Sequence, residues 1–283
     1  MEVRLWFSVN LIFYNLSAAE SLRSKILFPS SQSILEFDVD QANVSVLVGH
    51  GGTVVHSIDY DNENRYVYFT RTAFFDIVRF PYPSKSITLQ HFVNSSSPVG
   101  VAIDPKNDHV YWVNDLDNKL FRCKTDGTNI VVVSTDVNNA FMIRLDIINR
   151  WMYIGYPSIG IFKSRFDFTD ISKIANFTIQ TYCMDIDLTE QRLYWMDFSA
   201  DIKSVNVDGS DVKTIFSDHN LVHHTAIDVL DSYIYFVDYD TRLGMIDKSF
   251  QQYKNISEPA SQTILHSDTS NIDSIFVFDS IGM

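Results

Sequence analysis

The residues of this chain with chemistry to offer are acids and aromatic rings that recur together in short turns, plus one pair of adjacent histidines. Phe74-Phe75-Asp76, Asp115-Leu116-Asp117, Tyr156-Pro157-Ser158, Phe198-Ser199-Ala200-Asp201 and Tyr239-Asp240-Thr241 are the turns concerned. Rings surrounded by polar groups suit recognition, with an apolar anchor and a charged rim. His223 and His224 can titrate near neutral pH, which suits a pH-dependent contact. None of these residues falls in a nucleophile or metal spacing: there is no Gly-x-Ser-x-Gly, no phosphate-cradling glycine loop and no His-Glu-x-x-His. No catalytic residue, metal ligand or cofactor is expected. Asn43, Asn94, Asn176 and Asn255 each head an Asn-x-Ser/Thr sequon and are expected glycan acceptors.

A repeat must position those turns. An Ile/Leu-Asp step, a polar turn and an aromatic pair recur five times: Ile58-Asp59 with Tyr68-Phe69, Ile103-Asp104 with Tyr111-Trp112, Leu145-Asp146 with Trp151-Met152-Tyr153, Ile186-Asp187 with Tyr194-Trp195, and Ile227-Asp228 with Tyr235-Phe236. Phe278-Asp279 opens a sixth copy. The aspartates are 45, 42, 41, 41 and 51 residues apart. A period of that size with several short strands per unit predicts an all-β, six-bladed β-propeller of four-stranded antiparallel blades. The fourth unit shows the plan: Cys183 to Asp187, Arg192 to Met196, the alternating Ile202 to Val207, an Asp208-Gly209 turn, then Val212 to Phe216. Ile34 to Val48 matches the second half of a unit and Ser274 to Asp279 the first strand, so the closing blade is shared by the two ends of the chain. That blade lacks an evident second strand and is expected to be incomplete, unless residues near Leu5 supply it. The recurring aspartates and ring pairs, present in every copy, are expected to be scaffold: carboxylates accepting backbone hydrogen bonds, rings filling the space between blades.

The chain has 283 residues and a net charge of −13, with 35 acids against 22 bases. That balance disfavours nucleic acid and anionic membranes and favours a basic partner. Cys123 and Cys183 lie two units apart and read as buried free thiols. Met1 to Ala19 carries Arg4, an apolar stretch and Ser17-Ala18-Ala19, the pattern of a secretory signal. The alternative is a strand at Arg4 to Phe7 that closes the ring. The domain plan is a signal over 1–19 and a propeller over 33–283, with no membrane span. The expected location is extracellular, either secreted or as an ectodomain fragment of a receptor.

The strands Tyr68-Phe69-Thr70-Arg71, Tyr111-Trp112-Val113-Asn114, Tyr153-Ile154-Gly155-Tyr156, Tyr194-Trp195-Met196-Asp197 and Tyr235-Phe236-Val237-Asp238 resemble the Tyr-Trp-Thr-Asp, or class B, repeats of the low-density lipoprotein receptor family. The Asp126-Gly127 and Asp208-Gly209 turns match as well. The resemblance covers residues 33 to 279. It implies a six-bladed propeller that binds extracellular protein or peptide ligands and is not an enzyme. Ligand-binding candidates on the loop face are Phe74, Phe75, Asp117, Tyr156, Phe198, Asp201, Tyr239 and Asp240, with His223 and His224 as pH-switch candidates. The alternatives are a calcium-dependent lactonase or arylesterase, against which Val54, Val99, Met142, Tyr182, His224 and Ser274 at the strand tops are poor calcium ligands, and a structural matrix protein.

Overall fold

The computed structural model describes residues 24–199, 201–217, 224–238, 241–249 and 262–279. It is a ring of six four-stranded antiparallel sheets. The chain enters through three strands of the closing blade, β1 (Ser24–Ser30), β2 (Ser33–Asp38) and β3 (Asn43–Gly49). Blade one is β4 (Ile58–Asp61), β5 (Tyr66–Arg71), β6 (Asp76–Pro81) and β7 (Gln90–Asn94). Blade two is β8 (Pro98–Asp104), β9 (His109–Asn114), β10 (Lys119–Lys124) and β11 (Val131–Ser134). Blade three is β12 (Met142–Asp146), β13 (Trp151–Tyr156), β14 (Gly160–Arg165) and β15 (Ser172–Asn176). Blade four is β16 (Cys183–Asp187), β17 (Arg192–Met196), β18 (Asp201–Asn206) and β19 (Lys213–Ser217). Blade five is β20 (His224–Leu230), β21 (Tyr233–Asp238), β22 (Arg242–Asp247) and β23 (Thr263–Ser267), and β24 (Phe276–Asp279) returns to the closing blade.

The aromatic pair explains why such sheets stand in a ring. Successive side chains of a strand face opposite sides of its sheet, so the two rings of a pair serve two different interfaces. Tyr68 packs with Trp112 between blades one and two, whereas Phe69 packs with Leu27 and Ile34 between blade one and the closing blade. Six such apolar clusters, each shared by two neighbouring blades, make up the core. In every blade a register shift interrupts the outermost pair of strands, and such a bulge turns an exposed edge away from further pairing.

Two expectations need correction. The closing blade is complete, in the order β24-β1-β2-β3. Its second strand is Ser24–Ser30, and Leu27 and Phe28 take the places of the aromatic pair, one facing blade one and the other blade five. The strand escapes the repeat pattern because aliphatic Leu27 fills its interface without a ring. Burial of this strand makes Ile26→Val cost about 1 kcal/mol, checked by urea denaturation. No change would mean that β1 is not part of the cooperative core.

The second correction concerns the repeated acids. When the blades are aligned on the tyrosine of the aromatic pair, Asp59, Ala102, Arg144, Asp185, Asp228 and Phe276 fall at one position of the innermost strand, paired with Tyr68, Tyr111, Tyr153, Tyr194, Tyr235 and Leu27. Asp61, Asp104, Asp146 and Asp187 form a different column, two residues further on. So Asp59 and Asp228 are not equivalent to Asp104, Asp146 and Asp187, and Phe278 rather than Asp279 holds the sixth place. The cause in blade five is a hairpin two residues shorter, with Leu230 opposite Tyr233. Members of the second column cap their own hairpins: Asp61, Asp146 and Asp187 each accept two turn N–H groups on Oδ1, at 2.8–3.1 Å.

Candidate binding site at the channel mouth

The innermost strands surround the propeller axis, and each contributes side chains to it at fixed steps. The deeper layer holds Asp59, Arg144, Asp185 and Asp228. Arg144 Nε donates to Asp185 Oδ1 at 2.8 Å, and its Nη1 donates to the Ile143 carbonyl at 3.0 Å. The carboxylates also tie neighbouring blades together. Asp59 Oδ2 accepts the Ile103 N–H, Asp185 Oδ2 the Val229 N–H and Asp228 Oδ2 the Val277 N–H, at 2.7, 2.9 and 2.7 Å. Burial pushes Asp59 up to about 6 against the pull of Arg144 and two backbone donors. Burial and the adjoining Asp185 carboxylate hold Asp228 well above the usual carboxylate range. Burial works against the Arg144 charge, but Asp185, Asp228 and Asp59 together outweigh it and raise its pKa. Below this layer opens a funnel of about 390 Å3, walled by Tyr60, Ile147, Leu188, Phe276 and Phe278.

Above the layer, Val99 near the start of β8 and His56, Phe141, Tyr182 and Asp273 just before the innermost strands of their blades line the mouth, a space of about 30 Å3 that would hold little more than a water molecule. Three of these residues join a continuous run of rings. His56 lies 5.0 Å from Phe141, Phe141 5.0 Å from Tyr182 and Tyr182 5.5 Å from Phe198, the first two pairs edge to face. Tyr182 and Phe198 are each 37% exposed. The run therefore starts at the axis and ends in the solvent-facing β17–β18 loop of blade four. Burial lowers the pKa of His56, partly offset by Asp115, and burial raises that of Asp273.

The strand-two to strand-three loops lie on this same face as far as their residues are described, as the repeat requires. Of the residues expected there, Phe74 and Phe75 are 49% and 54% exposed on blade one. The Arg71 guanidinium stacks 4.5 Å over the Phe74 ring while binding Asp76 through two hydrogen bonds of 2.9 and 2.6 Å. Tyr156 is half-buried and packs 5.2 Å from Phe162, with burial pushing its hydroxyl up to about 12. Asp117 pairs with Lys119 at 3.3 Å. Asp201 pairs with Lys203 at 3.4 Å and accepts the Ser217 hydroxyl at 2.6 Å. Of these residues, the ring contacts join only Phe198 to the mouth. Tyr239, Asp240, His223, Asn255 and the 1–19 segment lie outside the described residues, as does the side chain of His224. Sequence reasoning missed His56, Phe141, Arg144 and Asp273, and placed Tyr182 at a strand top only as a poor calcium ligand. The usable signal was the column read back from the tyrosines, in which Arg144 stands nine residues before Tyr153, where Asp59 and Asp185 stand before Tyr68 and Tyr194. Cys123 and Cys183 are buried free thiols, and burial pushes both up to about 12. Among the described residues no helix is long and apolar enough to cross a membrane.

The fold and the mouth define a six-bladed propeller whose variable loops gather on one face around a plugged axis, a scaffold on which function resides in loops rather than in the repeat. No family model matches the chain. It is similar to the Protein cueball of Drosophila willistoni, 23% identical over 247 residues that cover 78% of this chain and 37% of that protein. It is also similar to the vitellogenin receptor of Solenopsis invicta, 25% identical over 205 residues that cover 68% of this chain and 11% of the receptor. The chain thus spans well under half the length of the curated relatives it matches. A chain of the crystal structure of a nidogen/laminin complex superimposes with a TM-score of 0.77 at 17% identity, over 90% of this chain and 98% of that one. The structural likeness confirms the six-bladed propeller fold.

Proposed function

We propose that this chain is an extracellular module that binds a protein or peptide ligand on its loop face, centred on the arc His56–Phe141–Tyr182–Phe198. The observation that carries the reading is that arc: four rings from three blades in unbroken contact, half-buried at the axis and exposed at the rim. A half-exposed ring seated on a rigid support has the character of a binding hot spot, because little side-chain freedom is left to lose on binding. The surplus of 13 negative charges favours a basic ligand by long-range attraction. The similarity to a receptor and the fold shared with a chain of a nidogen/laminin complex support a protein partner. The apolar segment within Met1 to Ala19 supports export.

The test uses peptides enriched from a random display library on the immobilised chain. They are expected to be rich in lysine and arginine. Phe198→Ala and Tyr182→Ala are each expected to weaken their binding by about tenfold or more, while the melting temperature moves by no more than about 2 °C because both rings are substantially exposed. A library that yields no binder, or binders that ignore both substitutions, would overturn the assignment.

A further inference from the structure

We infer that two N-linked glycans fence one side of the loop face and leave the partner an approach over blade four; the inference rests on the extracellular reading above. Asn94 is the last residue of β7 and Asn176 the last residue of β15. Each is paired with the first residue of the third strand of its blade, Asp76 and Gly160, so the two asparagines occupy the same position two blades apart. The matching positions in blades four and five and the closing blade hold Ser217, Ser267 and Gly49. Both asparagines are exposed on outermost strands, and both head a sequon. Asn94 Oδ1 lies 3.0 Å from His91 Nε2, a contact that leaves out the Nδ2 atom to which a glycan is joined.

Both strand ends reach the loop face. Ser95 donates its N–H to the Phe75 carbonyl at 2.8 Å, and Phe177 donates to the Ile159 carbonyl at 3.3 Å. A glycan on Asn94 stands beside the Phe74-Phe75 loop and one on Asn176 beside the Tyr156 loop, with blade two between them. Asn43, the first residue of β3, lies at the opposite end of its blade edge and does not guard this face. Tyr182 and Phe198 belong to blade four and the connection leading into it, outside the fenced sector. A bulky, hydrated glycan excludes a protein surface from its surroundings, so the exposed end of the arc is the accessible one.

The modification is a group transfer from a lipid-linked oligosaccharide. The Asn Nδ2 bonds to C1 of the first sugar, the bond from C1 to the pyrophosphate oxygen breaks, the lipid pyrophosphate leaves, and the amide nitrogen gives up one proton. The test is made on the chain secreted from cultured animal cells behind a cleavable leader, so that export does not depend on its own N-terminus. Glycopeptide mapping is expected to find Asn94 and Asn176 occupied, and Asn94→Gln and Asn176→Gln to remove one glycan each without changing affinity for the enriched peptides. Ile179→Asn creates a sequon with Thr181 in the open sector, at a position 39% exposed and one residue from the Gln180 carbonyl that accepts the Phe198 N–H. Its glycan is expected to weaken peptide binding by about tenfold or more, and enzymatic removal of that glycan to restore it. Secreted, folded protein with Asn94 and Asn176 bare, or an occupied Ile179→Asn variant that binds like the parent, overturns the fence. Bare asparagines leave the binding face standing, whereas indifference to Phe198→Ala and Tyr182→Ala removes the face and leaves the glycans.

Discussion

Arg144→Ala is expected to lower stability by about 3–5 kcal/mol, the cost of removing one partner from a buried ion pair. An exposed pair would be worth about 0–1 kcal/mol, so the size of the loss reports how far water is excluded from the axis. Only 22% of the Arg144 side chain and 10% of that of Asp185 are accessible. Alanine would leave Asp59, Asp185 and Asp228 facing one another with no cation among them, and each of these carboxylates holds a backbone N–H of the next blade. The loss would therefore spread through three blade junctions. Adding Asp185→Asn to Arg144→Ala should recover part of it, because the two groups share one network and their effects cannot add. The measurement is urea denaturation of the single and double variants. A loss below about 1 kcal/mol would show that the axial layer is solvated and not structural.

Asp59→Asn is expected to change how stability depends on pH. Burial raises the Asp59 carboxyl from an ordinary value of 3.8 to about 6 in the folded chain. Between those two values the native state holds a proton that the unfolded chain has released, so stability falls as pH rises. The contribution is fully present below about pH 4 and is lost as pH passes through about 6. Across pH 4 to 7 the loss amounts to about 2–3 kcal/mol at 1.36 kcal/mol per pKa unit. Asp228, also raised, acts in the same direction. Asp268, whose pKa hydrogen bonds from Ser270 and Ser30 lower in spite of its burial, acts in the opposite one, so the quantity to follow is the difference between variant and parent. Asparagine keeps an oxygen for one of the two backbone donors, Tyr60 or Ile103, and no longer titrates. The parent should therefore lose ground against Asp59→Asn as pH rises from 4 to 7, read from urea midpoints at intervals between. Parallel curves would place Asp59 in water.

Much of the architecture was readable from the residues. The aromatic pair marks strand two in four blades because one ring fills each of the two adjoining interfaces, whereas in blade three Tyr153 fills one and Ile154 the other. Strand β1 was not readable, since Leu27 and Phe28 fill their two interfaces with a residue type that occurs in any apolar segment. The exposed ring of Phe198 was legible as a loop residue, but its supports were not: Tyr182, Phe141 and His56 stand in connections between blades, without repeat or motif. Asp117, Asp201 and Tyr156 were legible on the loop face by type and position, but their pairing with Lys119, Lys203 and Phe162 was not.

The number of blades, the order of strands within each and the face on which the loops emerge follow from contacts between residues near one another in the chain, and local periodicity records such contacts. Only the closed ring decides which acids become neighbours. Asp59, Arg144, Asp185 and Asp228 come from four blades and meet because six inner strands converge on one axis. Convergence also removes water, and the loss of water lifts Asp59 and Asp228 out of the ordinary carboxylate range. No single blade contains that information, because none of them encloses the axis by itself.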